Sequence, residues 1–596
     1  MTRLAWIAVL LGLLLRGLSC AAHELPQGDV LLDVASARSL AAGDGFASGF
    51  RRGVISAAAG APLPPQGHSD QHPPLWPLLG ALVSPLAGSP FAALQLLSWC
   101  SGALLLLLMM RMGDRLVEDL PAVPDGVGVL AAALVACGFV AVDAAGNGSL
   151  YALQALLVLG LVESLCLPRL RPLLSGALLG LSLLLNHQAL VLLPLPLALL
   201  LLSAPAGARG PALRAGLSIT AVALACQLPW WLRNAVVFDS PFHSVNGLYL
   251  RYWAGGALST GLEQGQPVQR VGPVPLLGLA RAMAGFARMN ALYLLLAGLL
   301  AAPCLAAIAA ASAPALLLSR VGRADRRKLG LALAAAALLS VALLWPASKL
   351  RYLVALVPLA TLLGLSALVR ARTALERGLG WAVLLLWVGA LVFTLDDISG
   401  AAAHARPLRF AVLAAGGALV WALPLWCWRR GPSSAARLML LSGLPVVAAL
   451  ALAVALGPVS GLGTGTAYHG TWFLPDAFGQ DKEALDELRA ARLGAARDAA
   501  LDAGLSTLAG PIELLAWPQP ALLQLPGLEG EWLLQTLSAL AAAGRMDGVV
   551  LEGRDGPPPG LSALDELLEP LAVFAGDGRA AQRAGPWVGL FRVRSP

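Results

Sequence analysis

From the N-terminus to about position 457 the chain repeats apolar stretches of about 20 residues, the length an α-helix needs to cross a ~30 Å hydrocarbon core. Inside a bilayer every backbone N–H and C=O must find its partner within the protein, so stretches of this kind read as helices. A water-soluble fold has no means of hiding so much apolar surface: 58% of the 596 residues are hydrophobic, only 13% are charged, and the mean hydropathy is +0.74. The expected fold class is therefore mainly α, a polytopic transmembrane bundle of about thirteen helices. Met1 to Ala22 could be cleaved as a signal peptide, or as a lipoprotein signal ending at Cys20, but Gly17 stands where the lipoprotein pattern wants an aliphatic residue, and an uncleaved first helix is expected.

Charge sets the topology. Arginines gather in alternate loops (Arg111 and Arg115; Arg169 and Arg171; Arg209 and Arg214; Arg320 to Lys328; Arg370 to Arg377; Arg429 to Arg437), and the positive-inside rule makes these cytoplasmic. The complementary loops face outward: Ala21 to Pro74, Asp143 to Ser149, the turn near Asn186, Trp230 to Asn290, Pro346 to Arg351 and Asp396 to Arg409. Thirteen crossings from a cytoplasmic N-terminus leave the C-terminus outside. Only three of the 41 basic residues are lysines, Lys328, Lys349 and Lys482, which with the Ala, Gly, Pro and Leu excess suggests a high-GC bacterial genome and hence the inner membrane.

Composition changes after position 460. Residues 461–596 hold 17 acidic against 10 basic residues, whereas residues 1–460 hold 31 basic against 17 acidic. Two domains are expected: a transmembrane domain over 1–460, carrying an outward loop over 21–74, and a small soluble extracytoplasmic α/β domain over 461–596. Helix-like stretches at Asp481 to Ala503, Trp532 to Ala543 and Leu561 to Leu571 alternate there with strand-like runs near Ala521 to Leu525, Gly548 to Leu551 and Trp587 to Val593. The seven cysteines lie in or beside apolar segments with no CxxC spacing, so neither a disulfide framework nor a metal site is signalled. No glycine-rich loop stands between a strand and a helix, and nothing points to a nucleic-acid partner.

The first outward loop is about fifty residues long, and loops of that length are usually functional or disordered. It carries Asp29, Asp33, Asp44, His68, Asp70 and His72. Asp29 to Gly43 reads as a surface helix with Asp29, Asp33 and Ser36 on one face and Leu31 and Val34 on the other. Acidic residues also serve as caps and first-turn charges at helix starts, and spacing alone does not separate that role from catalysis.

The segment GDVLLDVASARSLAAGDGF, followed after a polar stretch by HPPLWPLLGAL, resembles the first extracytoplasmic loop of the GT-C superfamily of membrane glycosyltransferases, in its protein-mannosyltransferase and aminoarabinose-transferase branch. Three further stretches agree in order: LLGLSLLLNHQALVLLPL from Leu178, PWWLRNAVVFDSPFHSVNG from Pro229 and KLRYLVALVPL from Lys349. The chain keeps Asp29 and the Pro73-Pro74-Leu75-Trp76-Pro77 element. It departs at Val30, where the family usually has Glu, at Asp33, where an aromatic is common, and at His187, where an Arg is common.

The resemblance implies a hexosyl or pentosyl transferase that passes a sugar from a polyprenyl-phosphate donor to an acceptor hydroxyl of a lipid, glycan or protein at the outer face, with inversion at the anomeric carbon. The carrier's tail keeps its phosphate at the membrane interface, where the reaction needs a base for the acceptor proton and cations for the leaving phosphate. The site then falls on Asp29 as base with Asp33 beside it; on Lys349, Arg351, Tyr352 and Arg233 around the donor phosphate; and on Asp70, His72 and Trp76 at the acceptor or loop side. No cofactor is required, and a divalent cation at the donor phosphate stays an open alternative. Two other classes compete: a lipid or sugar transporter, for which Glu163 is the one candidate intramembrane carboxylate, and a catalytically inactive scaffold.

The topology is directly testable. A reporter fused after Arg430 is expected to report cytoplasm and one fused after Gly465 the outer side; matching signals at the two points would contradict the thirteen-helix arrangement.

Overall fold

The computed structural model describes residues 2–22, 26, 29–47, 50–51, 72–118, 126–136, 139–244, 280, 283–284, 287, 326–344, 350–370, 495–496, 498–503, 505, 507–510, 521–524, 548–553, 568–574 and 587–593. Two compact units divide the chain.

The first unit takes in residues 1–24, 92–228 and 286–477. Its described helices are α1 (Thr2–Ala22), most of α4 (Pro90–Arg115), α5 (Val127–Ala136), α6 (Phe139–Gly146), α7 (Tyr151–Leu165), α8 (Pro172–Leu185), α9 (Leu195–Ser203), the first two-thirds of α10 (Arg209–Phe238), α11 (Arg326–Leu344) and α12 (Leu356–Arg370). Helices α4, α10 and α11 are each long and apolar enough to cross a membrane, and several shorter apolar helices accompany them.

Helix α1 shows which solvent this unit is built for. Trp6, Ile7, Leu10, Leu14 and Leu18 are exposed along one side, while Arg16 and Ser19 are buried with Ala5, Ala8, Val9 and Leu15. In water the arrangement would be reversed; with lipid outside, apolar side chains face outward and polar ones turn in to find partners. The buried faces approach closely because small residues line them. A Cβ on Gly12 would strike the Ala136 carbonyl, one on Gly180 would meet Cys226, and one on Gly176 would meet Val222. Every residue of α5 is buried, as suits an apolar helix enclosed by others.

Backbone groups freed at helix ends are taken up by side chains. At the end of α6, Ser98 lies 2.8 Å from the carbonyl oxygens of Ala144 and Ser149, and Gln95 donates to Gly146 at 3.1 Å and to Cys20 at 2.9 Å. After α8 the chain breaks at Asn186, whose side chain accepts from the Gln188 N–H at 3.0 Å and donates to Gln154 at 3.1 Å. A 3₁₀ turn (His187–Leu192) then leads into α9.

Glu163, the carboxylate singled out for a transport role, is tied down near the end of α7. Arg115 of α4 donates to it, Arg327 of α11 reaches it at 3.2 Å, and Arg111 lies 3.9 Å away. It is a charge clamp between three helices.

The second unit takes in residues 25–91, 229–285 and 478–596. It contains α2 (Asp29–Ala42), α3 (Leu75–Ala87), the last turns of α10, and a six-stranded mixed sheet. The strands are β1 (Phe50–Arg51), β2 (Thr507–Gly510), β3 (Ala521–Gln524), β4 (Gly548–Gly553), β5 (Leu568–Phe574) and β6 (Trp587–Val593), in the order β1-β3-β2-β4-β6-β5. The pairings are parallel from β1 to β4 and antiparallel from β4 through β6 to β5.

Three sequence expectations are altered here. Leu561 to Leu571 was expected to be helix-like, yet Leu568 begins an edge strand, because pairing with β6 outweighs the local leucine spacing; Pro570 is tolerated at the edge, with a register shift before Ala572. Strand β2 has no counterpart in the expected elements. Strand β1 comes from the first loop, so residues on either side of the transmembrane region share one sheet. The helix-like stretch at Trp532 to Ala543 lies outside the described residues.

Candidate functional site

Helix α2 forms as its spacing predicts, but it is not a surface helix with a wet face. Val30 through Ala37 are all buried, Asp33 and Ser36 included, as α2 packs against α3. Its C-terminus closes in a Schellman arrangement: the Gly43 N–H bonds to the Leu40 carbonyl, the Asp44 N–H bonds to that of Ser39, and Gly43 has φ +88°, which a side chain would resist.

Asp33 Oδ1 lies 2.8 Å from Nδ1 of His72, which stands just before α3, and the two side chains are 3% and 16% exposed. This part-buried carboxylate–imidazole pair ties α2 to the residues that lead into α3. Trp76, one turn on, is fully buried in α3. Asp29 is the first residue of α2; its side chain, like all of Asp70, lies outside the described residues.

Beyond Gly45 the loop is pinned by Arg233. The guanidinium donates to the Phe46 carbonyl at 3.2 Å and to Asn234 at 3.0 Å. It lies 4.7 Å from the Trp230 ring centroid, 5.0 Å from that of Phe238 and 5.4 Å from that of Phe46. Phe46 meets Trp230 edge to face at 5.1 Å. Trp230 and Arg233, the latter expected beside the donor phosphate, thus form a cage around Phe46.

In the first unit, Arg351 and Tyr352 occupy a 3₁₀ turn (Leu350–Leu353) between α11 and α12. Arg351 is 7% exposed with its guanidinium 5.5 Å from the Tyr352 ring, and Tyr352 in turn lies 6.2 Å from Tyr151. Lys349 lies outside the described residues. Among the described residues no three His, Cys, Asp or Glu side chains converge as a metal site would need.

Two groups escaped the sequence reading. Phe46 carries no sequence signal beyond its place after Gly-Asp-Gly. Arg16 does carry one, as a lone charge in the apolar run of α1; it is 1% exposed, donates to the Val135 carbonyl at 3.3 Å and lies over Gly102.

The chain matches no protein-family model and no curated protein sequence. Its fold does match solved structures. ArnT from Cupriavidus metallidurans bound to undecaprenyl phosphate superposes with a TM-score of 0.53 at 14% identity, covering 99% of this chain and 98% of ArnT. The apo state of ArnT gives 0.51 over 98% and 97%. The oligosaccharyltransferase of Archaeoglobus fulgidus, tethered to an acceptor peptide, gives 0.50 at 14% identity, over 92% of this chain and 68% of that one. The chain therefore shares its fold with ArnT and with that oligosaccharyltransferase.

Arg233 supplies one of the fastenings of the first loop. Arg233→Ala removes a charge-assisted hydrogen bond and the aromatic contacts, a loss of about 2 kcal/mol. Limited proteolysis between Gly43 and His72 is expected to accelerate, and Arg233→Lys is not expected to restore resistance, since an ammonium cannot span three rings and a carbonyl at once. Unchanged cleavage would show that the cage does not hold the loop.

Proposed function

We propose that the chain is an integral membrane glycosyltransferase that moves a sugar from a polyprenyl-phosphate donor to an acceptor hydroxyl on the extracytoplasmic face, by an aspartate-based mechanism with inversion. The observation that carries this reading is the GT-C fold matched along the whole chain, with a buried acidic helix, α2, in its first loop. ArnT, which the chain resembles, binds undecaprenyl phosphate, and the oligosaccharyltransferase was solved with an acceptor peptide; a lipid-linked sugar and a lipid, glycan or peptide acceptor are the matching partners here.

The sheet supports the topology. A β-sheet does not cross a bilayer, so the pairing of β1 with β3 supports the reading that the first loop and the C-terminal strands lie on one side of the membrane. That reading asks for an even number of crossings between them, which thirteen in all, with α1 as the first, would supply. The pairing of Glu163 with Arg115 and Arg327 weakens the transporter reading, because it uses up the carboxylate that reading needs.

Chemically, the acceptor oxygen attacks the anomeric carbon from the face opposite the phosphate. Asp29 takes the hydroxyl proton as attack makes it acidic, Asp33 one turn on holds the neighbouring geometry, and cationic groups, Arg351 and Lys349 first among them, meet the charge that builds on the phosphate. Asp29→Asn keeps size and capping ability while removing the base, so the protein is expected to express and to bind donor while transfer falls by about 10²- to 10⁴-fold. Asp33→Asn is expected to cost less. Normal transfer by Asp29→Asn with a dead Asp33→Asn would move the base one turn along. Comparing envelope glycans and accumulated lipid-linked sugars between a gene deletion and its parent, by mass spectrometry, identifies the donor and the missing linkage together.

Arg351→Ala is expected to raise the apparent donor requirement while expression holds, since a lost charge-assisted bond is worth about 1.5 to 3 kcal/mol. An unchanged donor response would leave Arg351 as an anchor of its turn.

A further inference from the structure

Helix α4 runs without a charged residue from Pro90 to Met110, which is about 31 Å at a rise of 1.5 Å per residue, against the ~30 Å of a hydrocarbon core. Arg111 is the first charge met, so it marks the level at which the helix leaves the hydrocarbon. It also continues the exposed stripe of Leu104 and Leu107, one turn further along. That stripe faces lipid, and its last member is a cation more than half exposed. Glu163 gathers further cations beside it: Arg115 donates to Oε1 and Arg327 to Oε2, while Arg111 stays 3.9 Å from Oε1. Glu118, itself exposed, lies 3.9 Å from Arg327, and Asp114 is turned to the start of α5, where it accepts from the Gly128 N–H at 2.8 Å. Arg326 stands next to Arg327, and the charges of both reach Cys166 just past the end of α7. Among the described residues, two carboxylates thus serve four guanidiniums, and neither comes within hydrogen-bond distance of Arg111.

We propose that Arg111, with Arg115 and Arg327 beside it, is a docking site for the headgroup of an anionic phospholipid whose acyl chains lie along Leu104 and Leu107. The site is separate from glycosyl transfer and does not rest on that reading. Charge complementarity and tethering select the occupant. A lipid's chains pack on the same stripe that ends in Arg111, so its phosphate is held at the level of the guanidinium, whereas a free anion has no such tether. A guanidinium fork matches phosphate oxygens, and the surplus of positive charge prefers a headgroup with a net negative charge to one whose ammonium cancels its phosphate. Glu163 holds Arg115 and Arg327 and competes for them, so the headgroup engages Arg111 first. Since Arg111 and Arg115 belong to α4 and Arg327 to α11, the bound lipid ties these two helices from outside as Glu163 does from inside. It therefore stabilises the folded bundle in proportion to its occupancy.

The test uses full-length protein purified in detergent and titrated with dioleoyl phosphatidylglycerol or dioleoyl phosphatidylcholine. Bound lipid is counted by native mass spectrometry, and the unfolding temperature is read alongside. Saturable binding of phosphatidylglycerol with a raised unfolding temperature is expected, and little of either from phosphatidylcholine. A basic residue near an anionic lipid is worth about fivefold in affinity, so Arg111→Gln is expected to weaken phosphatidylglycerol binding by about that factor while the lipid-free unfolding temperature holds. Arg111→Lys, which keeps the charge, is expected to retain most of the affinity. Arg214→Gln, which removes an exposed arginine of α10, is expected to change nothing. The unaltered protein carries its own test, because high salt screens an exposed cation and is expected to release the lipid. Equal binding of the two lipids, phosphatidylglycerol retained undiminished at high salt, or unchanged affinity in a folded Arg111→Gln would each overturn the proposal. An equal loss from Arg214→Gln would reduce the effect to general surface charge and overturn it as well. Protection by inorganic phosphate alone that matches phosphatidylglycerol would make this a site for a soluble anion and overturn the lipid assignment.

Discussion

Hydrocarbon offers no hydrogen-bond partner, and much of the first unit follows from that single condition. The side chains of α4 and α1 that close the carbonyls at the end of α6 do what water would do in a soluble protein. Asn186 can interrupt an apolar run because it caps the 3₁₀ turn after it and reaches Gln154 across the helix interface. Arg16 is accommodated because Gly102 leaves room for its side chain and a carbonyl of α5 faces its guanidinium. The same condition explains the glycines: where association is driven by contact, with no water to expel, close approach of backbones is the main source of attraction.

The first loop is held by a different set of contacts, all within the second unit. Three fastenings of different physical kind act on it. A part-buried carboxylate–imidazole hydrogen bond joins Asp33 to His72, an arginine cage grips Phe46, and a short strand docks on a sheet at Phe50 and Arg51. The Schellman turn at Gly43 lets the chain leave α2 sharply enough to reach the second of these. Helix α2 is thereby held against the start of α3, and the chain after it is held at Phe46 and again at Phe50.

How much of this could be read from the sequence depends on whether a feature is local. Helix α2 was legible because the spacing from Asp29 to Gly43 is a local pattern, and strands β4 and β6 because Gly548 to Leu551 and Trp587 to Val593 are β-branched or aromatic runs. The likeness of fold to ArnT accords with a resemblance read from four segments in order. The burial of Asp33 was not, since an i, i+4 acidic face looks the same whether it meets water or α3. Nor was the pairing with His72, which sequence placed in the same loop without a partner. Arg233 was named for its charge, and only the positions of Phe46, Trp230 and Phe238 show what that charge is used for. Strand β1 was beyond reach, because two residues carry no periodicity and their partner lies nearly a chain length away.

That last pairing has a consequence for assembly. Phe50 faces Leu522, so the edge of the sheet can be completed only after the C-terminal residues have been made and brought to it. Until then the loop between α1 and α3 has two of its three fastenings. Closing a contact over so long a stretch costs more chain entropy than a local one, though the cost grows only logarithmically with length and falls further once inserted helices have fixed the loop's surroundings. A two-residue parallel strand adds little stability by itself; its effect is to make the final shape of the acidic loop conditional on a folded C-terminal sheet. A chain that lost its C-terminal strands would keep the charge pair and the aromatic cage but leave Phe50 and Arg51 without their ladder, and the loop would be held at its ends and free in its middle.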